Sequence, residues 1–306
     1  MVDPASLSFA FALCVCPFPR YLNSHVRARR HPVRSYFVRK RNALAVEADL
    51  SSLYIDYYLH GNDVSERPEP HHDAIFKELL ACMLLHACSK PWNEMFAWTL
   101  NIQEPRVNLF VTADNSGGSI VGRIFTEHVK EAPQNLFICE TVRGGQTPYR
   151  SIVEFEGTHM LATVEHFYQQ SEQRTARLFE TAPEQYLLVS AQPDCDLAWL
   201  RNLTLEQAAD LHRLEELGPL EKRHYQWQCG CTPDRMLGVA ATVTASEGVE
   251  ALFEGGDSLW LRCPRCGKIY TLTRETARSP PPEKKLTHTR ATSELPSCPV
   301  DAFWWA

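Results

Sequence analysis

The stretch that decides the reading is Gln228-Cys229-Gly230-Cys231-Thr232-Pro233-Asp234, followed by Cys263-Pro264-Arg265-Cys266-Gly267, with 31 residues between Cys231 and Cys263. Four thiols in two close pairs form the donor set of a tetrahedral Zn²⁺ site. The two residues between Cys263 and Cys266 let both sulfurs face one point. Gly267 permits the left-handed turn in which backbone N–H groups reach those sulfurs. Leu259–Leu261 and Ile269–Leu272 read as strands that give this knuckle rigid arms. Thr232 can cap a helix, Pro233 suits its first position, and Asp234 favours its positive end. A module of about 50 residues is marginal alone, whereas structural zinc contributes about 10–16 kcal/mol of apparent binding energy in small peptides. Metal binding also keeps the sulfurs as oxidisable thiolates. On chemistry alone, the site is either a structural clip or a redox trigger.

Outward from this module, the chain has 306 residues, enough for about two domains. Its hydrophobic share of 44% and charged share of 22% are those of a globular protein. No run of 18 apolar residues occurs, which excludes a transmembrane helix. The formal charge of −6 argues against generic nucleic-acid binding. Eleven cysteines are too few for a disulfide scaffold.

Asp73 is placed to cap a helix running through Ala87. Trp98, Leu100 and Ile102 alternate, as do Val107, Leu109 and Val111, which predicts two strands. Asp114–Gly118 is a turn and Ile120–Phe125 the return strand. Leu136–Val142 and Ser151–Phe155 flank a hairpin turn at Gly144-Gly145. A helix follows over Met160–Gln170, then a strand over Tyr186–Ser190. Several strands with few crossover helices predict an α+β fold with a mainly antiparallel sheet, a helical linker and a small C-terminal zinc-binding domain.

Residues 1–43 read as a disordered extension, an Arg-rich organelle leader, or translation from an upstream start. Cys14 and Cys16 within them receive no role. Residues 44–180 read as the α+β core domain, 181–228 as a linker, 229–278 as the zinc-binding domain and 279–306 as a loose tail. In the linker, Thr204-Leu205-Glu206-Gln207 is a capping box. The helix it opens runs to Gly218-Pro219. Its apolar stripe is Leu205, Ala208, Ala209, Leu211, Leu214 and Leu217.

Other signals are weaker. Arg143-Gly144-Gly145-Gln146 is a hairpin turn. Asn202-Leu203-Thr204 matters as a glycosylation acceptor only in a secreted chain. His71-His72 reads as a solvated pair. Cys82, Cys88 and Cys139 read as core filler, and Cys195, between Asp194 and Asp196, as a poor nucleophile. No nucleophile elbow, phosphate-binding glycine loop or His-Glu metal helix appears, which argues against an enzyme.

The cysteine spacing resembles that of the redox-regulated 33-kilodalton heat-shock proteins of bacteria, a family of zinc-thiolate holdase chaperones. Cys231-Thr232-Pro233-Asp234-Arg235 is similar to the family's helix start after the first pair. Phe155-Glu156-Gly157, Phe167–Gln173 and Arg177-Leu178-Phe179 resemble segments of its core domain. Asn108–Val111 and Gly122-Arg123 resemble its earlier strand pair. The resemblance runs over residues 45–278, loosely over 50–100, and lacks the family's Gly-Gly pair, which is replaced here by Glu184-Gln185-Tyr186. It implies one Zn²⁺ held by Cys229, Cys231, Cys263 and Cys266 in a reduced, inactive form. It further implies oxidation to the disulfides Cys229–Cys231 and Cys263–Cys266, zinc release, exposure of apolar surface that includes the linker stripe, and ATP-independent binding of unfolding client proteins. A homodimer in the oxidised form also follows from the resemblance, whereas the expectation of no membrane partner goes with the lack of a long apolar run. A reduced zinc-thiolate site places the protein in the cytoplasm, or in an organelle if the leader is real. The alternative from the residues alone is a static zinc-ribbon module binding protein or RNA.

Overall fold

Apolar residues alternate along the strands and recur every three to four positions along the helices, so each element hides one side, or two. In a computed structural model, residues 29–274 are described, except 145, 244–252 and 254. In chain order the elements are β1 (His31–Val38), β2 (Ala43–Asp49), α1 (Ser51–Asp63), α2 (Pro70–Cys88), β3 (Glu94–Gln103), β4 (Arg106–Asp114), β5 (Ser119–Phe125), β6 (Asn135–Arg143), β7 (Tyr149–Phe155), α3 (Met160–Gln170), β8 (Ala176–Ala182) and β9 (Gln185–Ala191). Then come α4 (Leu197–Asn202), α5 (Leu205–Ala209), α6 (Leu211–Leu214), β10 (Leu217–Trp227), α7 (Pro233–Val243), β11 (Ser258–Arg262) and β12 (Ile269–Thr273). The fold is α+β, as the alternation predicts. No helix among the described residues is long and apolar enough to cross a membrane.

Ten strands form one sheet in the order β7-β6-β3-β4-β5-β10-β1-β2-β9-β8, and β11 pairs with β12 separately. All pairings are antiparallel except β5–β10, which is parallel and only two residues long, Gln226 opposite Ser119 and Trp227 opposite Ile120. Beyond this short pairing the two strands part, and the sheet has a seam.

Helices α1, α2 and α3 cover one face throughout. Phe76, Leu79, Leu80 and Met83 of α2 are fully buried against Trp98, Leu100 and Ile102 of β3 and Val46 of β2. Gly122 on β5 fits beneath α2, since a Cβ there would meet the Phe110 carbonyl oxygen at 2.4 Å and the Phe76 ring at 2.8 Å. The opposite face is covered in two pieces. Alternate residues Ala43 and Ala45, Leu187, Val189 and Ala191 pack against Leu200, Leu203, Ala208 and Leu211 of the short helices. On the other side of the seam, Val121 packs against the cysteine module.

Two expectations are corrected. Residues 31–43, expected within a disordered extension, contain β1, which lies between β10 and β2 in the sheet. Two of the arginines that suggested a leader have partners far along the chain: Arg39 pairs with Glu216 at 3.6 Å, and Arg41 with Asp196 at 2.8 Å and Glu215 at 3.0 Å. His31, buried, meets Ser52 Oγ at 2.7 Å and Asp56 at 3.0 Å, which ties β1 to α1. Residues 1–28, with Cys14 and Cys16, lie outside the described residues, as does the tail 279–306.

The expected linker 181–228 is also part of the sheet, through β9 and β10. Its capping box forms, with the Gln207 N–H on Thr204 Oγ1 at 3.3 Å. The helix then breaks into α5 and α6, and Gly218-Pro219 falls inside β10 rather than at a helix end. Charges on β10 hide its strand pattern. Arg223 is buried, pairs with Glu221 at 2.6 Å, and donates to the Ala87 and Lys90 carbonyls at the end of α2. A cation at a helix C-terminus complements the helix dipole, so this arginine belongs inside.

Candidate metal centre

β10 ends at Trp227, and the chain turns directly into Cys229-Gly230-Cys231, with Gly230 at φ +66°. Thr232 then opens α7 as expected: its Oγ1 accepts the Arg235 N–H at 3.3 Å and its carbonyl accepts the Met236 N–H at 3.0 Å. The second pair sits in the β11–β12 hairpin, whose register sets Leu259 opposite Leu272 and Leu261 opposite Tyr270. At its tip the Cys263 N–H donates to the Lys268 carbonyl at 2.8 Å, and the Gly267 N–H to the Cys263 carbonyl at 2.9 Å. Gly267, at φ +78°, makes that tight turn without a Cβ penalty.

These two turns bring all four sulfurs within 4.8 Å of one another. Cys229 Sγ lies 3.7 Å from Cys263 Sγ, and Cys231 Sγ 3.5 Å from Cys266 Sγ. A tetrahedral centre with metal–sulfur bonds of 2.3 Å has edges of about 3.8 Å. A disulfide requires about 2.0 Å, so the four are free thiols. The spacing and the all-sulfur donor set fit one tetrahedral cation. Cys263 and Cys266 are buried, while Cys229 and Cys231 are half-buried. Crowding of the four sulfurs holds Cys231 and Cys263 below the ordinary thiol range, through hydrogen bonding with the neighbouring sulfurs, and holds Cys229 above it. A divalent cation replaces the thiol protons and makes all four thiolates compatible. Behind them, the Tyr270 hydroxyl donates to the Cys231 carbonyl at 2.9 Å and lies 3.0 Å from Cys231 Sγ.

The module is fastened to the core across the seam by residues that no sequence signal identified. His60, in the last turn of α1, meets the Cys266 carbonyl at 2.7 Å. Glu66, between α1 and α2, bridges Arg123 of β5 at 2.7 Å and Arg262 of β11 at 3.4 Å. Arg265 reaches Thr112 Oγ1 at 3.3 Å. Met236, Cys263, Cys266 and Tyr270 pack on Val121, with Trp227 alongside. Such contacts are a property of docking, and no local pattern announces them.

The expected apolar stripe is divided. Ala208 and Leu211 are buried under the sheet, Leu205 and Leu214 are about half exposed, and Leu217 starts β10. Cys82, Cys88 and Cys139 are buried in the core, where burial pushes the last two thiols up to about 12. Cys195 is also raised, by burial first and by Asp196 second. His71 and His72 sit in the first turn of α2, and the cysteine cluster is the only group of three or more metal donors among the described residues. Gly144 turns the chain between β6 and β7.

No protein-family model matches the chain, and no curated protein matches it in sequence. Among solved structures, the chain is similar to the 33 kDa chaperonin (heat shock protein 33 homolog) of Thermotoga maritima. The TM-score is 0.61 at 11% sequence identity, over 81% of this chain and 97% of that one. The architecture inferred from the cysteine spacing and the core motifs is thus found in a solved protein of that name, and the likeness is one of fold.

Proposed function

We propose that the protein is a redox-regulated, ATP-independent holdase chaperone, inactive while its four cysteines hold zinc. The observation that carries this reading is the cluster of four sulfurs at tetrahedral spacing, set in a module that is docked on a chaperonin-like core. Bound at Cys229, Cys231, Cys263 and Cys266, Zn²⁺ supplies the positive charge that keeps four thiolates together and knits two turns into one module.

An oxidant such as peroxide acts on these thiolates. Two thiolates, two protons and one peroxide give one disulfide and two waters, so the two pairs together surrender four electrons. The proposed pairing is Cys229 with Cys231 and Cys263 with Cys266, which leaves no ligand set. The hydrophobic cluster of the module is small, so loss of the cross-link unfolds it and its contacts at His60, Glu66 and Val121 are lost. Apolar core surface is then open to unfolding client proteins. Holding a client requires no turnover and no nucleotide. The reading also carries a homodimer in the oxidised state and a compartment that starts reducing, the cytoplasm or an organelle interior.

The test is client aggregation followed by light scattering, without ATP. Reduced, zinc-loaded protein is compared with protein treated with peroxide at mild heat. Suppression only after oxidation, with release of zinc, is expected. Equal failure in both states with zinc retained would replace this reading by a static zinc-ribbon module.

A further inference from the structure

The ten-stranded sheet has two edges, β7 and β8, and they are finished differently. On β8 the Leu178 N–H donates to Glu165 Oε1 of α3 at 2.7 Å. A side chain on an edge amide withdraws that amide from pairing with another chain. Among the described residues, no side chain takes a main-chain group of β7 in this way. β7 also carries exposed apolar side chains, Tyr149 at 64% and Ile152 at 52%. Val153 and Phe155 turn into the core, and Ser151 Oγ meets Ser171 Oγ at the end of α3 at 2.9 Å. Tyr149 shares their face of the strand, while Arg150, Ile152 and Glu154 lie exposed on the other.

An antiparallel pairing of β7 with a second copy of itself preserves both faces when the two-fold axis passes through a residue. With the axis at Ile152, every position meets a suitable partner. Arg150 stands opposite the partner's Glu154, and Ile152 opposite the partner's Ile152. Ser151 stands opposite the partner's Val153, and Tyr149 opposite the partner's Phe155. The rows continue into β6, where Glu140 is opposite Arg150 and Ile138 opposite Ile152. Arg150 donates to Glu140 Oε1 through Nε at 2.9 Å and Nη2 at 2.5 Å, and a guanidinium keeps donors for a second carboxylate. Among the described residues, Glu154 meets the neutral Gln134 amide and no cation. Pairing therefore builds a charge row that alternates in sign, Glu140, Arg150 and the partner's Glu154, next to an apolar row of four isoleucines. Moving the axis one residue either way sets Ile152 opposite Arg150 or Glu154, so the side chains select one register.

We infer that β7 is a self-pairing edge, on which a second copy of this chain docks antiparallel with the two-fold axis at Ile152. The two sheets become one, and the isologous contact closes at two copies. β6, β3 and β4 separate β7 from β5, where the cysteine module docks. The pairing thus stands in the reduced and the oxidised protein alike. It goes beyond the redox-holdase reading and does not rest on it.

The experiment uses the full chain, reduced and zinc-loaded, and follows its mass by sedimentation and light scattering over a range of concentrations. The parent is expected at twice the chain mass. Ile152 is exposed, so Ile152→Lys and Ile152→Glu keep the fold and the zinc content. Each puts like charges at the axis in place of an apolar pair, and each should dimerise at least about tenfold more weakly. An equimolar mixture of the two sets lysine opposite glutamate and should return to within a few-fold of the parent. Glu154→Lys, which faces the partner's Arg150, is a second exposed variant with the same expected weakening. Leu205→Lys, at a comparably exposed apolar site on α5, leaves the dimer as it is. A monomeric parent overturns the proposal, and protected β7 amides in that monomer would give the edge to another segment of its own chain. A dimer that neither position-152 variant weakens overturns the choice of edge. Variants that are monomeric alone and stay monomeric when mixed overturn the axis at Ile152.

Discussion

In the core, Trp98, Phe137 and Phe167 meet ring to ring, with centroids 5.0, 5.8 and 4.6 Å apart, inside a cluster that draws on α1, α2, α3 and most of the sheet. In the cysteine module the corresponding cluster is Met236, Cys263, Cys266 and Tyr270, resting on a borrowed Val121. Both regions are ordered, by different means. The first buries enough apolar surface to hold itself together. The second has two turns, helix α7, a hairpin of two five-residue strands and four sulfurs, with little apolar surface of its own. The switch proposed above would belong in the second region, because loss of a metal there would remove most of its stability and leave the first region standing.

The largest effect that can break this contrast is loss of a ligand. Cys266→Ser should abolish tight zinc binding, which is worth about 10–16 kcal/mol of apparent energy in small zinc modules. Amide exchange protection in α7, β11 and β12 should disappear while β3 and β4 stay protected. Measured zinc content near one per chain, or loss of protection in β3 and β4 as well, would mean that the two regions are not separable. In the core, Phe137→Ala should cost about 3–5 kcal/mol through the cavity it leaves. Denaturant unfolding followed by the sheet signal would read that loss, with zinc content unchanged. A smaller loss accompanied by zinc release would show the core leaning on the module.

The sequence showed these two regions unequally. The clustering of the four cysteines, the Thr232 cap and the left-handed turn at Gly267 were legible, since they are local chemistry, although the Gly267 N–H reaches the Cys263 carbonyl rather than a sulfur. Strands β3 to β7 were legible from alternation, because one face of each meets α2 or α3. Two central strands were not. β1 is flanked by arginines whose acidic partners lie in another part of the chain: Arg39 pairs with Glu216, and Arg41 with Asp196 and Glu215. β10 places buried Arg223 where an apolar residue is expected, and its reason, the end of α2, is a tertiary one. Helix α1 has apolar residues on both its buried and its exposed sides, so no single stripe marks it. His60 and Glu66 became meaningful only when the module was set down beside them.

A titration sharpens the contrast further, because the core contains a group that resists protonation. His86 is fully buried, 4.8 Å from the Phe96 ring and 4.9 Å from the Trp98 ring, with Nδ1 3.0 Å from the Tyr168 hydroxyl. Burial first, then Lys90 and Arg174, holds its pKa well below the ordinary value of 6.5. Above pH 6.5 the ring is neutral in both folded and unfolded chains, and stability is at its full value. As pH falls below 6.5 the unfolded chain takes up a proton that the folded chain refuses, and stability drops by about 1.4 kcal/mol per pH unit until the lowered folded value is reached. Denaturant midpoints between about pH 7 and pH 5 should show this slope, above the range where carboxylates titrate. His86→Gln should flatten it, and an unchanged slope would assign the sensitivity elsewhere.

The smallest expected effect lies at the join between the two regions. Gly267 has φ +78°, where a side chain is strained, and a Cβ there would stand 2.6 Å from Glu66 Oε1. Glu66 is not free to retreat, because Arg123 and Arg262 hold its carboxylate. Gly267→Ala should therefore cost about 1–2 kcal/mol from the backbone alone and loosen the docking besides. Faster amide exchange at His60–Arg67, with zinc still bound, is the expected reading. Adding Glu66→Ala separates the two contributions. It removes the clash but not the left-handed backbone, so the double variant should recover zinc affinity no further than the strain at 267 allows, while its α1–α2 loop exchanges as fast as in Glu66→Ala alone. If Gly267→Ala instead leaves the loop untouched and weakens only zinc binding, the knuckle and the core are neighbours without being coupled, and the route from sulfur to seam would have to run through Trp227 and β10.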